Sequence, residues 1–220
     1  MKYARILVIA DETVPAFMDY YNPDVFKNID LIISCGDLPA RYLSFIATVF
    51  HGDVLYVPGN HDNGYEENPP FGCVNIDGKI YNWRGLRIMG LGGSMRYKDG
   101  PYQYTEKEMK RRYRKMAFQL WKNKGIDILV THAPARHFHD GDDPCHQGFY
   151  TFIEILRKYQ PKYFIHGHIH MTYGNYPRLS TFEENTMVIN AYERFVIEVP
   201  LEDAPDSSQE PSKDVSEQSS

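Results

Sequence analysis

The sequence of 220 residues has few cysteines and no long hydrophobic run. Its three cysteines form no CxxC pair and no framework of the kind found in secreted disulfide proteins, so we expect reduced thiols and a cytoplasmic location. No stretch approaches the roughly 20 apolar residues that a membrane-spanning helix needs. The short apolar run near the N-terminus is interrupted by Asp11 and Glu12, which makes it too short for a signal peptide. We therefore expect no membrane partner.

The body of the chain lacks an excess of charge of either sign. Of the 29 acidic residues, six lie in 202–220 together with one of the 24 basic residues, so residues 1–201 carry 23 of each. One stretch, 107–125, is strongly basic, and its apolar residues recur at helical spacing, which predicts a packed helix with a solvated basic face. We expect no nucleic-acid partner, although contact of this stretch with a phosphate backbone stays open.

Residues 202–220 contain no aromatic residue and a single Val. An acidic, Ser-rich stretch of this kind cannot bury enough apolar surface to offset the loss of chain entropy, so we expect it to be disordered. The sequence thus predicts one domain over 1–201, followed by a tail whose removal should change neither folding nor turnover.

Short strand-like runs alternate with amphipathic stretches along the body. The runs occupy 3–10, 29–34, 53–57, 86–91, 126–131, 162–166 and 194–199, and the helical patterns occupy 39–50, 105–123 and 149–159. Residues 73–91 are typical of an antiparallel hairpin, with its turn expected at Asp77 and Gly78. The alternation is typical of an α/β protein with buried, partly parallel sheets.

Polar residues follow five of the predicted strands. Because ligands of open α/β sheets bind beyond the carboxyl ends of the strands, these side chains are expected to meet at one edge. Turn chemistry would explain any one of these loops but explains all five together poorly. A mixture of carboxylate, amide and imidazole groups suits Mn, Fe or Zn, and there are enough of them for two ions. The residues are Asp11, Asp37, Asn60, His61, His132, His166, His168 and His170.

The order of these motifs resembles that of the calcineurin-like metallophosphoesterases. The family pattern is DxH, GDxx, GNH[DE], a lone His and GHxH, and the chain has DET, GDLP, GNHD, THAP and GHIH between residues 11 and 170. The stretch 131–170 looks closest to small phosphodiesterase-like members. The resemblance implies a four-layer αββα sandwich, with two mixed β-sheets flanked by helices and the metal site at the carboxyl ends of the strands.

The resemblance also implies a role for each motif residue. Asp11 and His170 would bind the first metal ion, Asp37 would bridge, and the second ion would be bound by Asn60, His132 and His168. His61 would be the general acid, whereas His166 falls outside the pattern and is expected to be structural. The implied activity is hydrolysis of phosphate esters, with phosphodiesters expected, by hydroxide bound to two divalent ions, of which Mn is favoured over Fe and Zn. The expected partner is a small phosphoester, nucleotide-like esters included. The alternative is a catalytically weak regulator that binds metal or nucleotide on the same fold.

The chain departs from the family at Thr13, where the first motif ends in His. Water or a neighbouring oxygen would then complete the first ion, and Glu12 is one candidate. The loop 135–148 is either solvated or forms a rim over the metals, and His146 is the candidate for substrate binding among its three histidines. Further rim candidates are Tyr97, Tyr102 and Tyr104, together with Arg96 as a partner for phosphate.

Overall fold

The structure is a computed structural model that describes residues 2–201; the predicted tail, 202–220, lies outside the described residues. Strands and helices alternate along this range, as the sequence pattern predicts. The strands are β1 (Lys2–Ala10), β2 (Leu31–Ser34), β3 (Asp53–Tyr56), β4 (Val74–Asn75), β5 (Lys79–Trp83), β6 (Leu86–Leu91), β7 (Ser94–Met95), β8 (Gln103–Tyr104), β9 (Ile128–Thr131), β10 (Tyr163–His166), β11 (Leu179–Phe182), β12 (Thr186–Asn190) and β13 (Glu193–Leu201). The α-helices are α1 (Ala40–Val49), α2 (Glu106–Lys115), α3 (Ala117–Lys122) and α4 (Tyr150–Tyr159).

The strands form two large mixed sheets. The first has the order β13-β1-β2-β3-β4, in which only the β13–β1 pair is antiparallel. The second has the order β11-β12-β10-β9-β6-β5, with parallel pairs in the middle and an antiparallel pair at each edge. Parallel neighbours end at the same edge, so each sheet presents several strand ends together.

The buried residues divide the molecule into four layers. Along β1, Ile6 and Val8 lie in the core cluster shared with residues of the second sheet. The alternate residues Leu7 and Ile9 pack in a different cluster, with Leu43 and other residues of α1. A third cluster packs α2, α3 and α4 on the opposite face of the second sheet. Because side chains alternate across a strand, this division places helices outside both sheets, which confirms the predicted αββα arrangement. No helix within residues 2–201 combines the length and apolar content needed to cross a membrane.

The segment 105–123 is two helices rather than the single predicted helix. The break falls at Met116, whose backbone N–H bonds to the Tyr113 carbonyl three residues back and so tightens the last turn of α2. The basic face is solvated only in part. Arg112 is mostly buried and pairs with both carboxylate oxygens of Asp77, at 2.5 and 2.6 Å.

The predicted turn at Asp77 and Gly78 exists but does not close a hairpin. The Lys79 N–H bonds to the Ile76 carbonyl across it at 3.0 Å, and the turn lies where the chain passes from the first sheet to the second, whereas the β5–β6 hairpin turns at Arg84 and Gly85. The Asp77 carboxylate accepts hydrogen bonds from Arg112 and from the Gly92 N–H and so holds this turn against the second sheet and α2. The hairpin formed by β11 and β12 was absent from the sequence prediction.

Candidate metal centre

The carboxyl ends of the two sheets meet at one end of the sandwich. Residues after β1, β2 and β3 come from the first sheet, and residues after β9 and β10 come from the second. Contacts between a side chain and the backbone help to join the sheets there. The His168 N–H lies 3.0 and 2.9 Å from the two Asp11 carboxylate oxygens, and His132 Nδ1 lies 2.7 Å from the Cys35 carbonyl oxygen.

Four candidate ligands converge around one point. His132 Nε2 lies 3.0 Å from Asn60 Oδ1, 3.3 Å from Asp37 Oδ2 and 3.1 Å from His168 Nδ1. Three of these groups are buried and Asp37 nearly so. Two oxygen and two imidazole nitrogen donors facing one another fit a divalent cation of the Mn, Fe or Zn type.

Backbone carbonyls fix the ring orientations of both histidines. A carbonyl oxygen can only accept, so His132 donates from Nδ1 to Cys35 and leaves its Nε2 for the ion. His168 donates from Nε2 to the Cys145 carbonyl at 2.6 Å and leaves its Nδ1. Such outer contacts select the tautomer of metal-binding histidines. Both rings are therefore held in an orientation that suits metal binding.

The electrostatics of this cluster also favour a cation. Burial by itself would raise the pKa of Asp37. The charge of His132 and its hydrogen bond act in the opposite direction, and the pKa is lowered to about 2. Burial by itself would lower the pKa of His132, but the negative charge of Asp37 and the hydrogen bond to it outweigh burial and raise this pKa to about 9. Burial raises the pKa of Asp11 to about 7, and burial lowers the pKa of His168 to about 3. A bound cation would stabilise the carboxylates and take the place of the proton on His132.

The candidate residues of the first ion are less compactly arranged. Within residues 2–201, the ligand atoms of Asp37, His132 and His168 all lie within 4.8 Å of one another, and neither Asp11 nor His170 belongs to such a group. His170 packs against the Tyr192 ring, with a centroid distance of 4.9 Å. Burial lowers the pKa of His170, and the nearby charge of Glu12 opposes this. One half of the candidate centre is therefore compact, and Asp11 and His170 do not complete an equally compact second half.

Glycines allow the loops of the centre to pack against one another. A Cβ at Gly59 would lie 2.1 Å from Asp37 Oδ1, and one at Gly36, where φ is +97°, would lie 2.4 Å from the Gly59 nitrogen. Three candidate ligands, Asp11, Asp37 and His168, have positive φ values of 65°, 56° and 68°. Such left-handed backbone is uncommon outside glycine and clusters at functional sites.

Asp62 is a residue whose role the sequence did not reveal. Its Oδ2 accepts hydrogen bonds from the Asp37 N–H at 2.9 Å and the Gly59 N–H at 2.7 Å, which ties the loop after β2 to the loop after β3. Burial and the neighbouring Asp37 raise its pKa to about 7. Its place as the last residue of GNHD was the signal that could have identified it.

A pocket of about 340 Å³ opens over the candidate ligands. His61 and His146 both line it, as does Tyr97, whose hydroxyl lies 3.4 Å from the Asn60 side-chain nitrogen. His61 is exposed, and its backbone N–H donates to Asp37 Oδ1 at 2.7 Å. The His146 ring is held by Asp143, with Nδ1 2.8 Å from Oδ2. The pocket is lined by Asp11, Asp37, Asn60, His61, Tyr97, Cys145, His146, His168 and His170.

Several rim candidates lie elsewhere. Arg96 pairs with Glu108 at 2.9 Å and does not line the pocket, and neither does Tyr102 or Tyr104. His137 contacts the Tyr150 hydroxyl instead.

Two further histidines outside the candidate ligand set, His139 and His166, contact each other. His139 Nδ1 lies 3.0 Å from Nε2 of His166, which is fully buried. His166 therefore packs inside the protein, as its predicted structural role requires. Of the three histidines in the 135–148 loop, His146 is the one that reaches the pocket.

A family model described as calcineurin-like phosphoesterase matches residues 4–172, which is the greater part of the chain. The protein belongs to the calcineurin-like phosphoesterase family. It is accordingly a metal-dependent hydrolase of phosphoric esters, with divalent metal ions as cofactors. A comparison with curated proteins gives no match.

Solved structures share the fold of this calcineurin-like phosphoesterase. The crystal structure of TT1561 from Thermus thermophilus is 17% identical with a TM-score of 0.61, over 87% of this chain and 90% of that chain. Another crystal structure is 14% identical with a TM-score of 0.63, over 91% of this chain and 100% of the other. At these identities the likeness shows the fold alone.

Proposed function

We propose that this protein hydrolyses phosphodiesters at a centre of two divalent ions. The observation that carries the proposal is the convergence of Asp37, Asn60 and His168 within 3.3 Å of His132 Nε2. Family membership supports a phosphoesterase, and the geometry supports the place of the metal within it. Two ions bound there would polarise the phosphoryl oxygens and lower the pKa of water.

The residues divide between the two ions as their positions allow. Asn60, His132 and His168 would hold the second ion through the atoms that face one another, with Asp37 shared between both ions. Asp11 and His170 would hold the first ion. Because Thr13 stands where the family motif has His, an oxygen ligand would complete this ion, and such an oxygen-rich site favours Mn²⁺ over Zn²⁺.

Two histidines on the pocket walls would act on the substrate. His61 would donate a proton to the leaving oxygen, because it is exposed beside the candidate bridging carboxylate, to which its own N–H bonds. His146 would hydrogen-bond a phosphoryl oxygen, because Asp143 fixes its Nδ1 and the ring lines the pocket. Asp62 would hold the loops that carry Asp37 and Asn60.

The charge of the pocket favours a diester over a monoester. No Lys or Arg is present among the described residues that line it, so positive charge there would come from the ions and from protonated imidazoles. A phosphomonoester dianion carries one more negative charge than a diester and needs more compensation. The lower charge of a diester fits this pocket better.

A substrate and metal screen tests the proposal. Purified protein is assayed with an aryl phosphodiester and an aryl phosphomonoester in the presence of Mn²⁺, Ni²⁺, Co²⁺, Fe²⁺ or Zn²⁺. We expect metal-stimulated turnover that is greatest for the diester with Mn²⁺. Metal binding without turnover in any of these conditions would instead support the catalytically weak regulator.

A further inference from the structure

A second pocket adjoins the pocket over the candidate ligands. Its volume is about 380 Å³, and the two pockets share Asp37 and His61 as lining residues. A group held next to His61 is therefore within reach of both pockets. The remaining lining comes from the loop that leads into α1 and from residues 62–68.

The wall of this second pocket is apolar and fixed. Leu38 is 1% exposed and Tyr65 is 7% exposed. The Tyr65 hydroxyl donates to the Leu38 carbonyl, and the Tyr65 ring packs edge-on against Tyr56 with a centroid distance of 5.5 Å. The shape of the pocket is thus set by packed side chains before any ligand arrives.

The described residues that line this pocket include no Lys or Arg. Of its two carboxylates, Asp37 is a proposed metal ligand, and Asp62 Oδ2 already accepts hydrogen bonds from two backbone N–H groups. A phosphate or carboxylate on a ligand would meet no basic side chain there. The chemistry of the pocket therefore suits an uncharged group of ring size.

We propose that this second pocket receives the leaving group of the substrate, and that this group is uncharged and of the size of an aryl ring. The inference rests on the proposed function, in which His61 is the proton donor. A water oxygen bonds to phosphorus and the water releases a proton to solvent, while the bond from phosphorus to the ester oxygen breaks with its electron pair on that oxygen. His61 donates a proton to the ester oxygen and takes one back from solvent. The ester oxygen must lie within hydrogen-bond reach of His61, so the group attached to it extends past His61 into this pocket.

Gly64 offers a position from which to fill the pocket. A Cβ there meets no atom within 4 Å, so a larger side chain has space to enter. The test compares Gly64→Phe with the parent protein on two methyl phosphodiesters, one with a 4-nitrophenyl leaving group and one with a small trifluoroethyl leaving group. The readout is the ratio of kcat/KM for the nitrophenyl ester to kcat/KM for the trifluoroethyl ester. Glu67→Phe, an exposed neighbour outside the lining, is the control.

We expect Gly64→Phe to lower this ratio by about tenfold or more, the usual worth of a filled apolar pocket, while Glu67→Phe leaves it unchanged. Asn68→Phe, at another lining position, should lower the ratio in the same direction. An unchanged ratio in both lining variants overturns the leaving-group assignment but leaves the phosphodiesterase proposal intact. Absence of turnover on either ester in the parent protein overturns both.

A measurement without variants tests the same pocket. In metal-free parent protein, phenol, which is uncharged at neutral pH, is titrated while backbone amide signals are followed by NMR. We expect saturable shifts at Gly64, Tyr65 and Asn68. Shifts confined to Tyr97 and His146, which line the other pocket, or the absence of any saturable shift would overturn the inference.

Discussion

His132 uses its two ring nitrogens for different tasks. Nδ1 bonds to a backbone carbonyl of the first sheet, and Nε2 faces three other candidate ligands. The sequence predicted that this residue belongs to the site, because it follows a strand. It could not predict the carbonyls of Cys35 and Cys145 that orient the two histidines, because every residue has a carbonyl and its use depends on tertiary contacts. The hydrogen bonds through which Asp62 links the loops after β2 and β3 were not predicted, for the same reason.

His61 is predicted to act in catalysis without holding metal. His61→Asn should lower kcat by about 10²–10⁴, the usual contribution of acid–base catalysis, and leave the bound metal nearly unchanged. Asp37→Asn is the matched comparison and should deplete both ions, because a bridging ligand serves both. Metal analysis of the two purified variants separates the roles, and loss of metal from His61→Asn would make this residue a ligand.

Thr13 is predicted to limit the first ion. Thr13→His restores the imidazole of the family motif two residues after Asp11, and a gain of about 1.4 kcal/mol would lower the half-maximal Mn²⁺ concentration about tenfold. The effect should be greatest at sub-saturating metal, where occupancy follows the free ion.

Glu12→Gln is the control for this experiment. If Glu12 already supplies the missing oxygen, Glu12→Gln will raise the half-maximal Mn²⁺ concentration and Thr13→His will lower activity by crowding. That pattern would contradict a simple missing ligand.

At the scale of elements, the strands that carry the site were predicted close to their observed bounds. Each strand is a short series of buried apolar residues followed directly by polar residues. This pattern is visible in the sequence because a buried strand requires apolar side chains. The connections were predicted less well. Asp77 and Gly78 form a turn as their composition predicts, but it joins strands of different sheets instead of closing a hairpin. Local composition predicts a turn and does not specify which strands pair across it.

The close packing of the loops gives a prediction at Gly59. Gly59→Ala would push a methyl group into the Asp37 carboxylate, and crowding of this kind costs about 1–3 kcal/mol. We expect metal affinity to fall about tenfold, measured by calorimetric titration with Mn²⁺. Gly100→Ala, where a Cβ meets only a side-chain atom at 3.3 Å, should bind Mn²⁺ like the parent protein. If the parent protein, Gly59→Ala and Gly100→Ala bind Mn²⁺ with equal affinity, the loops can move enough to accommodate the added methyl group, and the prediction is wrong.

At the scale of the whole molecule, the site exists because two sheets end at the same place. Asp11 and Asp37 come from the first sheet and His132 and His168 from the second, so no segment of the chain holds the centre by itself. The alternation of strands and helices predicted a layered α/β protein. Which sheet each strand joins was not predictable from local pattern, because the interior runs of both sheets are equally apolar. The motif order implied two sheets in a sandwich but assigned no strand to either sheet.

Turnover by metal-free protein tests the central claim most directly. The protein is stripped with a chelator, its metal content is measured, and hydrolysis of an aryl phosphodiester is followed as Mn²⁺ is returned. We predict no turnover in the stripped protein and a rate that rises with metal occupancy until the centre is filled. Undiminished turnover by protein that contains no metal, or no turnover once metal is bound, would contradict the account.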